Sequence, residues 1–115
     1  MATTMADRRL DALFTALSDP TRRDIVARLC TGEATVKELA EPYAMSMQAV
    51  SQHIRVLERS GLISQGRHRQ TRPCRLEPAA LETALSWIEE SRRTWSDRMD
   101  RLETHLARLQ EREGR

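Results

Sequence analysis

Apolar residues recur at helical spacing through most of the chain. Leu10, Leu13, Phe14 and Leu17 share one stripe and predict a first helix over residues 7–17. Ser18-Asp19-Pro20 then reads as a break followed by a start, with Asp19 as N-cap and Pro20 as the first helical residue. Ile25, Val26 and Leu29 give a second helix its apolar face, and Gly32 stops it. Thr35-Val36-Lys37-Glu38 has the pattern of a capping box, opening a third helix that Pro42 keeps short or kinks. Ser46 caps a fourth helix, whose inward stripe is Val50, Ile54 and Leu57. Met45 and Val50 have the spacing of a hydrophobic staple at its entrance. Gly61 ends that helix. Leu62 and Ile63 read as a short strand, residues 66–71 as a polar loop, and residues 72–76 as a returning strand. Glu77-Pro78 opens a last helix expected to reach about residue 112.

The expected fold is therefore mainly α with a small β-hairpin: a winged helix-turn-helix followed by a long helix. Its 115 residues suffice for one structural domain. Within it, residues 1–77 form the winged core, including the first helix, and residues 78–115 form the last helix. Composition agrees with this. Four aromatics, Phe14, Tyr43, Trp87 and Trp95, are too few for a typical β-sandwich. No apolar run approaches the ~20 residues that span a bilayer. The first residues lack the apolar stretch of a signal peptide and carry Asp7 and Asp11, so a cytoplasmic protein with no membrane partner is expected.

Net charge is only +2, but its distribution is uneven. Residues 1–60 and 78–115 are each nearly balanced. Residues 61–77 carry Arg67, Arg69, Arg72 and Arg75 against Glu77 alone, with His68 alongside. A cationic hairpin of this kind can follow phosphates or place an arginine in a minor groove. Arg72 and Arg75 should point to opposite sides of a strand, so they are not expected to reach DNA together.

The fourth helix carries the second signal. Gln48, Gln52, Arg55 and Arg59 lie opposite its apolar stripe, with Ser51 at the edge. Glutamine can pair with adenine, arginine with guanine, and an apolar side chain such as Met47 can touch a thymine methyl. An isolated helix with such a face would be an ordinary solvated helix. Between a short capped helix and a basic hairpin, it reads as a DNA-reading helix that starts at Ser46. Arg22 and Lys37, each near a helix start, are weaker phosphate candidates. His53 sits beside the apolar stripe and is expected to be partly buried and satisfied, ahead of a phosphate contact or a metal role.

The last helix repeats at 4,3,4,3 spacing through Leu81, Leu85, Ile88, Arg92, Trp95, Met99, Leu102, Leu106 and Leu109. One small domain cannot cover so long a seam, so a partner is expected. A homodimer built from Leu10, Leu13, Phe14 and Leu17 of the first helix and this seam accounts for it. Arg92, the one polar interruption, is expected to pair with Glu89 or with the Glu90 of a partner chain.

Three segments resemble the ArsR family of bacterial repressors: Ala16-Leu17-Ser18-Asp19-Pro20-Thr21-Arg22-Arg23, then residues 45–58, then Gly61-Leu62-Ile63. They fall in the family's order and spacing and, together, cover most of residues 10–77. Arg72-Pro73-Cys74-Arg75-Leu76, followed by a helix with Trp87 and Trp95, is similar to one branch of it. The resemblance implies a homodimer that binds a palindromic duplex operator and represses transcription. Metal-sensing members carry a Cys-x-Cys pair on helix three, or carboxylate and His ligands on the last helix. Helix three here reads Val36-Lys37-Glu38-Leu39-Ala40-Glu41, without cysteine, and Asp97, Asp100, Glu103 and His105 do not match the usual spacing. No metal site, cofactor or catalytic residue is expected, and any small-molecule effector is left open. Cys30 and Cys74 are expected to be two small buried hydrophobes; a thiol- or metal-responsive switch built on them is the alternative. A winged-helix module that binds an acidic protein is the other alternative. No catalytic triad, P-loop or HExxH motif suggests an enzyme.

Overall fold

The computed structural model describes residues 4–66 and 72–114. Its elements run α1 (Met5–Ala16), α2 (Pro20–Leu29), β1 (Ala34–Thr35), α3 (Val36–Ala40), α4 (Met47–Arg59), β2 (Ile63–Gln65), β3 (Pro73–Leu76) and α5 (Pro78–Glu113). This is the winged helix-turn-helix order that the hydrophobic pattern predicts.

The caps act where the sequence puts them. The Asp19 carboxylate accepts from the Arg22 N–H at 3.0 Å, and the Ser46 hydroxyl accepts from the Ala49 N–H at 3.1 Å. Thr35 and Glu38 close their box in both directions, at 3.2 and 3.1 Å. A further box, Thr4 with Asp7, starts α1 two residues earlier than its stripe predicts. Each such cap satisfies N–H groups that a helix start leaves without partners, and is typically worth about 1 kcal/mol. Gly61 ends α4 with φ +87°, a conformation in which any Cβ is strained.

The expected hairpin is one strand short of the sheet that forms. β3 lies in the middle, antiparallel to β2 on one side and β1 on the other. Cys74 pairs with Gln65 across one edge and Ala34 across the other. β1, two residues long, joins the start of the helix-turn-helix to the sheet. The Gly66 N–H donates to the Pro73 carbonyl at 2.8 Å and closes the base of the wing. The wing tip with Arg67, His68 and Arg69 lies outside the described residues.

The core gathers one or more side chains from most elements. Leu13, Ile25, Leu39, Val50, Ile54, Leu57, Leu62, Ile63 and Cys74 are all fully buried. Burying one such aliphatic side chain is worth roughly 1.5–3 kcal/mol, so this set holds α4 on the rest of the domain. Met45, the outer half of the predicted staple, also packs against it. Cys74 is buried as expected. Cys30 is exposed, against expectation. It would follow Val26 by one turn on the apolar stripe, but α2 ends at Leu29 and Cys30 lies at its open end.

The chain forms two compact units, one up to Ala84 and one from Leu85. The first takes in the opening turns of α5, because Ala84 is buried in the core and Ala80 and Leu81 pack against it. The second is the remainder of α5, with no buried residue among those described. No described helix is long and apolar enough to cross a membrane.

Candidate nucleic-acid interface

A helix can read a groove only if its angle is fixed, and α4 is pinned from several directions. Val50, Ile54 and Leu57 are at most 1% exposed and anchor one face. The preceding helix, α3, has only five residues, so its C-terminal carbonyls need outside donors. Arg28 of α2 supplies them: its two terminal nitrogens donate to Leu39 O at 2.9 Å and Glu38 O at 3.1 Å. The same guanidinium lies 5.6 Å over the Tyr43 ring, in the α3–α4 turn. The Tyr43 hydroxyl donates to Asp24 on α2. Burial, with the Asp24 bond, raises its ionisation above the ordinary phenol range. One arginine and one tyrosine thus lock α2, α3 and the turn into α4.

A second cluster ties α4 to the α1–α2 junction. Arg22 donates to Ala16 O at 2.7 Å and Thr15 O at 3.1 Å, and Arg23 donates to Leu17 O at 2.8 Å. These bonds satisfy the carbonyls at the end of α1. The third nitrogen of Arg22 lies 3.3 Å from Nδ1 of His53 on α4. A guanidinium can only donate, so Nδ1 accepts and a neutral His53 carries its proton on Nε2. Asp19 lies 3.8 Å from the same Nδ1. Its carboxyl is held below the usual range first by the Arg22 N–H, and the Arg22 charge adds to this. His53 is thus partly buried and satisfied, as expected. Each nitrogen of Arg22 is already engaged inside the protein.

The opposite face of α4 is open. Met47, Gln48, Gln52 and Arg55 are exposed, and Ser51 is half-buried at the edge. Arg55 donates to the Gln52 side-chain oxygen at 3.2 Å, so two groups suited to base edges are held side by side. The Ser46 hydroxyl, which accepts from Ala49, keeps its own proton to donate. Lys37 is exposed on α3, and Arg72 is exposed just before β3. Arg75 follows the alternation expected for the strand and meets Glu77 at 3.6 Å instead. Glu77 also accepts from Ser64 at 2.6 Å and closes the wing at its other end.

Among the described residues no group of three His, Cys, Asp or Glu side chains could hold a metal ion. The Cys74 thiol is pushed up to about 11, mainly by burial and further by the negative charge of Glu58. A thiol so rarely ionised is a poor nucleophile and a poor ligand.

On the remainder of α5 the seam lies bare. Leu85, Ile88, Trp95, Leu102, Leu106 and Leu109 are each 41–59% exposed. Arg92 meets Glu89 at 3.0 Å, one of the two pairings expected for it. On α1 Phe14 is exposed and Leu10 is half-buried, as is Leu17 at its C-cap, whereas Leu13 is fully covered by its own chain.

Arg28, Arg23 and Tyr43 escaped the sequence reading. Their bonds run to backbone carbonyls or between elements, and spacing along one helix does not reveal those. The nearest clue was a charged residue within the apolar stripe of α2, Arg28 between Ile25 and Leu29.

This fold and open helix define a helix-turn-helix protein, and comparison with known proteins agrees. Residues 17–65 match the family model described as a helix-turn-helix domain. The chain is 32% identical over 79 residues to the transcriptional repressor SdpR of Bacillus subtilis, covering 69% of this chain and 88% of that one. It is 42% identical over 81 residues to the HTH-type transcriptional regulator Rv2034 of Mycobacterium tuberculosis, covering 68% and 76%. The crystal structure of an ArsR family transcriptional regulator, RHA00566, superposes with a TM-score of 0.75 at 36% identity, covering 84% of this chain and 97% of that one. The chain belongs to the ArsR family of winged helix-turn-helix, DNA-binding transcriptional regulators.

Proposed function

We propose that the protein is a homodimeric repressor that reads a palindromic operator with α4. The observation that carries this is the division of α4 into a fully buried aliphatic face and an open face of Gln48, Gln52 and Arg55. Met47 and Ser51 complete the base-facing set, and residues near the start of such a helix reach deepest. Ser46, Lys37 and Arg72 contact phosphates, together with Arg67, His68 and Arg69 of the wing tip. Arg22 acts through His53 and the α1 carbonyls rather than on a phosphate. Repression is favoured by the kinship with a transcriptional repressor. The dimer is favoured by the bare seam of α5, joined by Leu10 and Phe14 of α1 and Leu17 at its C-cap. Two α4 helices related by a two-fold axis would read half-sites about one turn, ~10 bp, apart.

The test is a titration of an operator and a random duplex at several salt concentrations. Affinity for both falls steeply with salt, because each phosphate contact releases counterions. Arg55→Ala relaxes base discrimination by ~1–3 kcal/mol while leaving the salt slope unchanged. Equal affinity of the wild-type protein for operator and random duplex would refute sequence reading. Equal loss on both duplexes in Arg55→Ala would move that residue to the backbone.

A further inference from the structure

At the C-terminal end of α4, where Arg59 follows Arg55 by one turn, the core unit holds a cleft of about 590 Å³ between α1, the end of α4 and the first turns of α5. Its polar lining is one-sided. Arg8 and Arg9 of α1 and Arg59, the last residue of α4, line it, and among the described residues no carboxylate does. Among the described residues none of the three forms an ion pair. Asp7, next to them in sequence, is committed to the Thr4 backbone. The rest of the lining is largely apolar or small, with Met5, Ala12 and Ala79.

We propose that this cleft binds an organic anion with an apolar body, of the size of a medium-chain carboxylate. The three guanidiniums supply the forked donors that a carboxylate accepts best. Met5 and the alanines supply the apolar wall, and the volume lies in the range of ordinary ligand sites. Three like charges around one cleft repel each other, and an anion between them relieves that repulsion. Since Arg59 ends α4, an occupant that draws it inward acts on the helix that carries the base-facing groups. That coupling, unlike the binding itself, rests on the proposed role of α4.

The experiment is calorimetric titration of the full chain with decanoate, without DNA. Saturable binding of one decanoate per chain is expected, at least tenfold weaker for decanol. Combined Arg8→Gln, Arg9→Gln and Arg59→Gln should weaken decanoate at least tenfold. Thr83→Trp, which fills the cleft from an exposed position on α5, should do the same. Arg93→Gln, outside the cleft, should leave binding unchanged, and circular dichroism confirms that each variant is folded. No saturable binding at millimolar decanoate, equal binding of decanol, or wild-type affinity in both the triple variant and Thr83→Trp would overturn the site. If decanoate binds but leaves operator affinity within twofold, the coupling to α4 is overturned and the site stands. A shift of fivefold or more supports both.

Discussion

Leu102→Lys separates the dimer from the monomer because the same position is costly in one and harmless in the other. Leu102 is 47% exposed in the single chain, on a stretch of α5 with no buried residue. In a monomer the change is an exposed substitution, expected to stay within about 0.5 kcal/mol. In the proposed dimer, covering the exposed half of a leucine is worth about 1 kcal/mol per chain. The substitution forfeits that and places an ammonium from each chain in a desolvated contact, at several kcal/mol per ion after relaxation. A total above ~5 kcal/mol weakens dimerisation by more than about a thousandfold. Sedimentation equilibrium reads the dimer, operator titration reads its consequence, and circular dichroism confirms helix content. Losing the tether between two half-sites should cost 10²–10⁴ in operator affinity, roughly, while salt-dependent binding to random duplex persists. A folded Leu102→Lys protein that stays dimeric and binds its operator normally would refute the α5 seam and leave Leu10, Phe14 and Leu17 as the contact.

Two further outcomes follow from the site chemistry. In the native protein at pH 8, a thiol reagent should titrate one cysteine per chain, exposed Cys30. Cys74, with about one thiol in a thousand ionised at that pH, should react only after unfolding; two fast thiols would contradict its burial. Asp19→Asn keeps an N-cap acceptor but removes the charge that the Arg22 N–H and guanidinium favour. Because folding depresses the Asp19 carboxyl, its charge stabilises the protein above the unfolded-state value, and that contribution is lost as pH falls through the lower folded value. Denaturant titrations of the two proteins should therefore differ at pH 7 and converge in acid; a gap that widens in acid would contradict the assignment.

The helices were legible because each carries a local signal at both ends. Asp19-Pro20, Thr35 with Glu38, and Ser46 with Met45 and Val50 are short-range patterns whose chemistry works within one turn. The open face of α4 was legible for a related reason: three aliphatic positions at helical spacing fix which side remains outside. β1 was not legible, since two residues cannot show an alternation. The bonds of Arg28 and Arg22 were not legible either, because their acceptors lie 6–31 residues away in sequence. Cys30 was misplaced because its burial was expected from the residue type alone, whereas its position as C-cap of α2, past the last buried residue Leu29, leaves it exposed. The cleft beside α4 escaped notice since Arg8, Arg9 and Arg59 look like separate surface charges until α1 and α5 close around them.

The central position of β3 has a consequence for how such a regulator can change over generations. Its pairing with β1 on one edge and β2 on the other, and the bond between Gly66 and Pro73, fix the two ends of the wing within the sheet. Residues 67–71 connect these fixed points along the chain and read from the sequence as a polar loop. Doubling the length of such a loop costs only about 0.6 kcal/mol of closure entropy. Insertions, deletions and changes of charge can therefore accumulate there with little penalty to folding, while α4 keeps its anchors. On the roles proposed for the wing and α4, contact with the flanking backbone and choice of base sequence are in this way separately inheritable, and a lineage could retune the first without disturbing the second.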